Sequence, residues 1–165
     1  MFCAKRSITP TARSLTSYKW KKRIPANWSR VLANTLRMGV APVSSEEQRR
    51  LLEAFIAAAQ KGDLATLEGL FVEDVVSYSD GGGIVRTAAR APVSGRDHVA
   101  KFITSFASHF WIGITLRWID TNGQASVLLS RDGIPVALAT IDASAGGINQ
   151  IMWIMRPSKL AAIFR

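Results

Sequence analysis

Three consecutive glycines, Gly81 to Gly83, follow a short apolar stretch with strand character, Val75 to Tyr78. Successive glycines after a strand indicate a backbone that adopts positive φ or passes close to another group, because a β-carbon would be penalised in either case. Asp80 precedes them and can accept hydrogen bonds from the amides of the turn. The residues therefore predict that the chain reverses direction here. The alternative is that the open loop forms a docking point for a ligand or for another chain.

The net charge of +9 is confined to the beginning of the sequence. The first 40 residues contain nine Lys and Arg residues and no acid, whereas the rest of the chain contains twelve of each sign. The high isoelectric point therefore carries no information about the surface of the folded part. We divide the chain into a basic extension over residues 1–43, expected to be flexible, and one domain over residues 44–165.

Four interpretations of the basic extension stay open. An acid-free polar segment is typical of a solvated tail. Aromatic and basic residues alternate around Tyr18 to Arg23, so residues 1–40 could also bind the phosphates and bases of a nucleic acid. Arg-rich, Ser-rich and acid-poor segments are also typical of organelle transit peptides. Met38 could instead be the true start of the protein.

Composition supports a soluble protein with a packed core. Apolar residues make up 48% of the chain, and there are five Trp and seven Phe. No apolar run is long enough to span a bilayer, so no membrane association is expected. The single cysteine, Cys3, cannot form an internal disulfide, which is consistent with a reducing cytoplasm.

Capping signals predict a helical hairpin at the start of the domain. Ser44 or Ser45 can cap a first helix, and the apolar residues that follow have helical spacing. Gly62 ends this helix, and Asp63 caps a second one. A third helix is predicted to begin at Ser94 to Asp97 and to end near His109.

From Phe110 the apolar pattern changes to alternation, which predicts four strands joined by hairpin turns up to Met155. Helices first and consecutive strands last indicate an α+β fold, with a curved antiparallel sheet wrapped around the N-terminal helices. Such a sheet leaves an open end, where we expect the mouth of a cavity.

The order of elements and five sequence motifs resemble a known family. Residues 45–160 resemble the SnoaL-like domain of the NTF2-like superfamily, in the form found at the C-terminus of extracytoplasmic-function sigma factors of the ECF41 or SigJ-like type. The motifs are Ser45–Leu51, Tyr78–Gly83, Arg90–Arg96, Asn122–Gln124 and Pro157–Leu160. The resemblance implies a cone-shaped fold and a regulatory role in transcription initiation, with a sigma factor core region or RNA polymerase as partner. It also allows a homodimer and the sensing of a small apolar ligand.

The chain departs from the family pattern at several positions. Ile84 stands where the family has Lys after the third glycine, and the C-terminal motif begins Arg156-Pro157-Ser158 where the family has Asn-Pro-Asp. The 43 residues before the domain are too few for the sigma regions that bind polymerase and promoter. We therefore expect a regulatory domain without sigma regions, either a fragment or a free-standing descendant.

In the family, the C-terminal motif and the glycine loop together form the surface that meets the sigma core region. The resemblance therefore implies that Lys159 supplies a charge to a partner carboxylate and that Asp80 holds the loop. The implied partner interface comprises Asp80, Gly81, Gly82, Gly83, Pro157, Lys159 and Leu160.

NTF2-like enzymes offer an alternative function, that of a polyketide cyclase or ketosteroid isomerase acting on a small apolar carbonyl compound. An acid or His abstracts the proton in these enzymes, while a Tyr or acid stabilises the oxyanion. Residues of these types are Tyr78, Asp80, His98, His109, Asp120 and Asp142. The two His are expected at exposed helix ends, and the two later Asp beside turns. No acid–base pair results, so no catalytic residue is assigned; Tyr78 and Asp80 are the candidates if the chain is an enzyme.

The interior is predicted to be lined by aromatic residues that form a core and could also form a pocket. Two His and one Cys give no metal-binding spacing, and no cofactor is expected. The predicted lining comprises Tyr78, Phe102, Phe106, Trp118 and Trp153.

Overall fold

A capped helix opens the part of the chain that the computed structural model describes, which comprises residues 43–83, 85, 88–121 and 123–163. Helix α1 (Ser45–Lys61) follows Ser44, whose Oγ accepts a hydrogen bond from the backbone N–H of Glu47 at 3.2 Å. It ends at Gly62, whose φ of +67° is left-handed and suits glycine. The predicted cap and end of this helix are confirmed.

Asp63 starts the second helix, α2 (Leu64–Leu70). Its carboxylate accepts hydrogen bonds from the backbone N–H of Thr66 at 3.1 Å and from the Thr66 hydroxyl at 2.6 Å. Helices α1 and α2 form the predicted hairpin. Their buried apolar side chains, including Leu52, Phe55 and Leu67, belong to the main core.

Six strands form one sheet in the order β2-β1-β6-β5-β4-β3. All neighbouring strands are antiparallel except β1 and β6, which run parallel. The prediction of an antiparallel sheet is therefore wrong for this one pair, which joins distant parts of the sequence. The strands are β1 (Phe71–Asp80), β2 (Val93–Ser94), β3 (Ile114–Thr121), β4 (Gln124–Arg131), β5 (Ile134–Ser144) and β6 (Gly147–Ile154).

The third helix is shorter than predicted. Helix α3 (Arg96–Ser105) is preceded by Gly95, with no side-chain cap, because Ser94 belongs to β2. Near its end the Ser105 hydroxyl donates to the Phe102 carbonyl at 2.6 Å, a local bond that competes with further helix. A series of turns then covers residues 106–113, so β3 begins at Ile114 rather than at Phe110.

A fourth helix, α4 (Pro157–Ala162), follows β6 and was not among the predicted helices. Proline suits the first helical position, where its missing N–H costs no hydrogen bond. Leu160 of α4 is 2% exposed and packs with Leu128 and Leu138 in a small second cluster. Leu128 of β4 and Leu138 of β5 are paired across the two strands. The next pair along these strands, Val127 and Ala139, belongs to the main core and faces inward. Because strand side chains alternate, α4 covers the outer face of the sheet.

The predictions for residues 1–42, including nucleic-acid binding and the alternative start at Met38, concern positions outside the described residues. The same is true of Ile84 and Asn122 in the family motifs. Among the described residues, no helix combines the length and apolar character needed to cross a membrane.

Asp63 gives a test of the hairpin through pH. The side-chain hydrogen bond from Thr66, followed by its backbone N–H, lowers the pKa of Asp63 below 3.8. The charged form therefore stabilises the fold above the unfolded pKa, and this contribution disappears as the pH falls through the folded pKa. In thermal unfolding, the chain should exceed the Asp63→Asn variant in stability at neutral pH, and this difference should disappear as the pH falls through the lowered pKa of Asp63. A stability difference that stays constant with pH would contradict the hydrogen bonds between Thr66 and the charged carboxylate of Asp63.

Candidate functional site

The glycine loop leaves the end of β1 as predicted, and Gly82 lies against the side chain of Arg156. Gly82 has a φ of +62°, a conformation that L-residues rarely adopt. A β-carbon at this position would lie 3.0 Å from Cδ and 3.3 Å from Nε of Arg156. Gly83 also has positive φ, +77°, but its surroundings are open. Gly82 is thus required by its backbone conformation and by the arginine that lies against it.

Asp80 connects this loop to the C-terminal helix. Its carboxylate oxygen Oδ2 forms an ion pair with Nζ of Lys159 and accepts a hydrogen bond from it. The other oxygen, Oδ1, accepts a hydrogen bond from the backbone N–H of Gly82 at 3.3 Å. Its backbone carbonyl accepts the N–H of Met155 at 2.9 Å. The side chains of Asp80 and Lys159 are 31% and 30% exposed, so the pair is only partly screened by water.

We call Asp80–Gly83 together with Arg156–Lys159 the glycine corner. It brings together the two segments predicted to form a partner interface. The placement of two predicted interface residues changes their expected roles. Lys159 directs its charge to Asp80 of the same chain, and the buried Leu160 anchors α4 to the sheet. Pro157 is exposed at the start of α4.

The interior contains a small apolar cavity of about 40 Å³ near α3 and the turns that follow it. Its polar lining is limited to Ser79 among the described residues, and none of the described lining side chains is ionisable. Phe102 and Phe106 form an edge-to-face pair with ring centres 5.0 Å apart. The lining comprises Ser79, Phe102, Ile103, Phe106, Phe110, Trp111, Trp153 and Met155.

Three of the five predicted pocket residues, Phe102, Phe106 and Trp153, line this cavity, and two do not. Tyr78 pairs in register with Met152, one position before Ser79, so strand alternation places it on the opposite face of β1. Trp118 instead borders a separate polar hollow of about 80 Å³.

Sequence reasoning missed several lining residues of the cavity. Phe110 and Trp111 were assigned to a strand, although the run of apolar residues there fits a buried turn equally well. Ser79 was missed because its neighbour Tyr78, which lies on the opposite face of β1, was predicted to line the pocket instead. The missed residues are Ser79, Ile103, Phe110, Trp111 and Met155.

The remaining titratable candidates lie outside the cavity. Burial raises the pKa of Tyr78, and burial also raises the pKa of Asp142 while the backbone N–H of Ala143 partly opposes this. His98 and His109 are exposed, and Asp120 borders the same polar hollow as Trp118. Among the described residues, no three His, Cys, Asp or Glu come together as metal ligands would.

Comparison with solved structures places the fold among known ones. The chain is 23% identical to the extracytoplasmic function sigma factor SigJ of Mycobacterium tuberculosis, with a TM-score of 0.55 over 69% of this chain. The match spans 44% of the length of that sigma factor. A de novo designed protein with a curved β-sheet is 17% identical, with a TM-score of 0.52 over 74% of this chain and 95% of its own.

An NTF2-like protein of unknown function from Mesorhizobium loti is 20% identical, covering 70% of this chain and 97% of its own, with a TM-score of 0.49. No family model and no curated protein sequence matches the chain. The predicted fold class is confirmed: the domain is an α+β fold with a curved six-stranded sheet and helices.

The contact between Gly82 and Arg156 leads to a stability test. Replacing either Gly82 or Gly83 with alanine should lower the free energy of unfolding by roughly 1–2 kcal/mol, because the backbone at both positions is left-handed. Gly82→Ala should cost about 0.5–1 kcal/mol more, because it also displaces Arg156. In an Arg156→Ala background this excess should disappear, as measured by urea unfolding. An excess that persists without the arginine side chain would show that the two residues do not interact.

Proposed function

We propose that this chain is a non-catalytic regulatory module that binds a sigma factor or RNA polymerase in the cytoplasm and modulates transcription initiation. The glycine corner is the proposed binding surface. The shared fold with SigJ supports the proposal, although at 23% identity the likeness concerns the fold alone.

One observation carries the proposal: the bond between Asp80 and Lys159. These residues are 79 positions apart, yet the ion pair holds the loop and the start of α4 as one surface. The resemblance to the family independently predicts a single interface for these two segments. A loop that served only to reverse the chain would need its own turn hydrogen bonds but no link to a distant helix.

The cavity favours a module over a cyclase or isomerase. Proton abstraction requires a base within hydrogen-bonding reach of the substrate, and no described lining residue provides one. The candidates Tyr78 and Asp80 do not line the cavity. Its volume of about 40 Å³ is also far below the roughly 300–1,000 Å³ of ligand pockets. A small apolar ligand would have to displace aromatic side chains, so the proposed binding role does not depend on one.

Binding measurements with the full chain test this function. The chain is immobilised, and purified core RNA polymerase or a sigma factor core region from the same organism is passed over it. Asp80→Asn and Lys159→Gln should each weaken binding about tenfold, because each breaks the link that shapes the corner. Lys101→Gln is a matched control, since Lys101 pairs with Asp97 at 3.7 Å on an exposed face of α3. This variant should bind like the unmodified chain.

The result that would overturn the proposal is equally specific. If the unmodified chain binds neither protein, and instead converts a carbonyl compound from a cyclase and isomerase screen, the enzymatic alternative is correct. If Lys101→Gln and Lys159→Gln weaken binding equally, the proposal is also contradicted, because the loss of affinity would then come from the change in net charge. Circular dichroism of each variant confirms that the fold is retained.

A further inference from the structure

The described part of the glycine corner contains more positive than negative charge. It has two cations, Arg156 and Lys159, and one carboxylate, Asp80. The carboxylate is engaged by Lys159. Among the described residues, no carboxylate lies within salt-bridge distance of Arg156. Within the part of the chain that the structure describes, the Arg156 guanidinium therefore has no counter-ion, and its position is partly buried.

The fold holds Arg156 in place. Its backbone carbonyl accepts the N–H groups of Lys159 at 3.0 Å and Leu160 at 3.1 Å, which fixes it at the start of α4. Its side-chain stem lies against Gly82, where a β-carbon would be 3.0 Å from Cδ and would force the stem to shift. A side chain that is already packed loses less conformational entropy when it binds than one that moves freely in water.

We propose that the glycine corner binds an acidic protein segment and that a Glu or Asp carboxylate of this segment pairs with the guanidinium of Arg156. This inference rests on the proposed function and specifies the chemistry of the partner. The planar guanidinium matches a carboxylate with two parallel hydrogen bonds. The exposed backbone of Gly82 and Gly83 allows a partner chain to approach closely, since neither residue has a side chain in the way.

A protein carboxylate fits this surface better than a nucleic acid does. Binding to a nucleic acid depends on several cations that neutralise successive phosphates along its backbone. The described part of the corner offers one unpaired cation, because Asp80 neutralises Lys159. A single fixed arginine is instead typical of a hot spot at a protein interface.

The test observes Arg156 itself, because the nine cations of the first 40 residues would bind any polyanion and obscure the total affinity. The Nε–Hε signal of Arg156 in the full chain is assigned by NMR through its loss in Arg156→Gln. Three probes are then titrated: a peptide of six Glu flanked by Gly and Ser, the same peptide with Gln for each Glu, and a single-stranded oligothymidylate.

The Glu peptide should shift the Arg156 signal, and the Gln peptide should leave it unchanged. Arg117 serves as the control, since it is exposed on β3, which lies at the opposite edge of the sheet from β2 and β1. Its signal should not respond to the Glu peptide. Arg156→Gln should also weaken binding of the sigma factor or polymerase about tenfold, and Arg117→Gln should not.

Three results of the NMR titration would overturn this inference. The Glu peptide could leave the Arg156 signal unmoved, or it could shift the Arg156 and Arg117 signals equally. Oligothymidylate could also shift the Arg156 signal at a lower concentration than the Glu peptide does. The outcomes remain separate from the proposed function. Polymerase binding that is unaffected by Arg156→Gln contradicts only the role of Arg156. A response of Arg156 to the Glu peptide, without binding of sigma factor or polymerase, contradicts only the identity of the partner.

Discussion

The carboxylate of Asp80 contacts both segments that form the glycine corner. It accepts the N–H of Gly82 on one side and the ammonium of Lys159 on the other, while the Asp80 carbonyl accepts the N–H of Met155. Charge-assisted hydrogen bonds are stronger than neutral ones, and partial burial limits their screening by salt. The loop is thereby tied to α4, whose Leu160 is in turn packed on the sheet. Through these contacts the position of Arg156 over Gly82 is set by the fold rather than by the loop alone.

The interior cavity and the glycine corner differ in chemistry. The interior cavity is apolar and small, with Ser79 as the polar contribution among its described residues, so it resembles an imperfectly filled core more than a reaction site. The glycine corner instead combines charge, exposed backbone and a fixed arginine, which are properties of a surface for protein recognition. This contrast supports the proposed binding role of the glycine corner.

Local signals made the helical hairpin predictable, because Ser44, Gly62 and Asp63 act within one turn of their own positions. The parallel pairing of β1 with β6 was not predictable in this way, since it depends on contacts between residues far apart in sequence. Tyr78 was predicted to line the pocket in place of Ser79 because the adjacent residues Ser77 and Tyr78 are both buried, so this end of β1 shows no alternation of buried and exposed residues. At the C-terminus, α4 was not predicted, although Pro157 suits the first residue of a helix. Lys159 and Asp80 were identified from motifs, whereas their mutual contact required the structure.

A double-mutant cycle on the unfolding free energy tests the link between Asp80 and Lys159 most directly. Asp80→Asn, Lys159→Gln and the double variant are unfolded in urea at low and at high salt. The account expects a coupling energy of about 1 kcal/mol that decreases only partly at high salt, because the pair is partly buried. Additive effects with no coupling at low salt would mean that the loop and α4 are not joined by this bond, and the glycine corner would lose its physical basis.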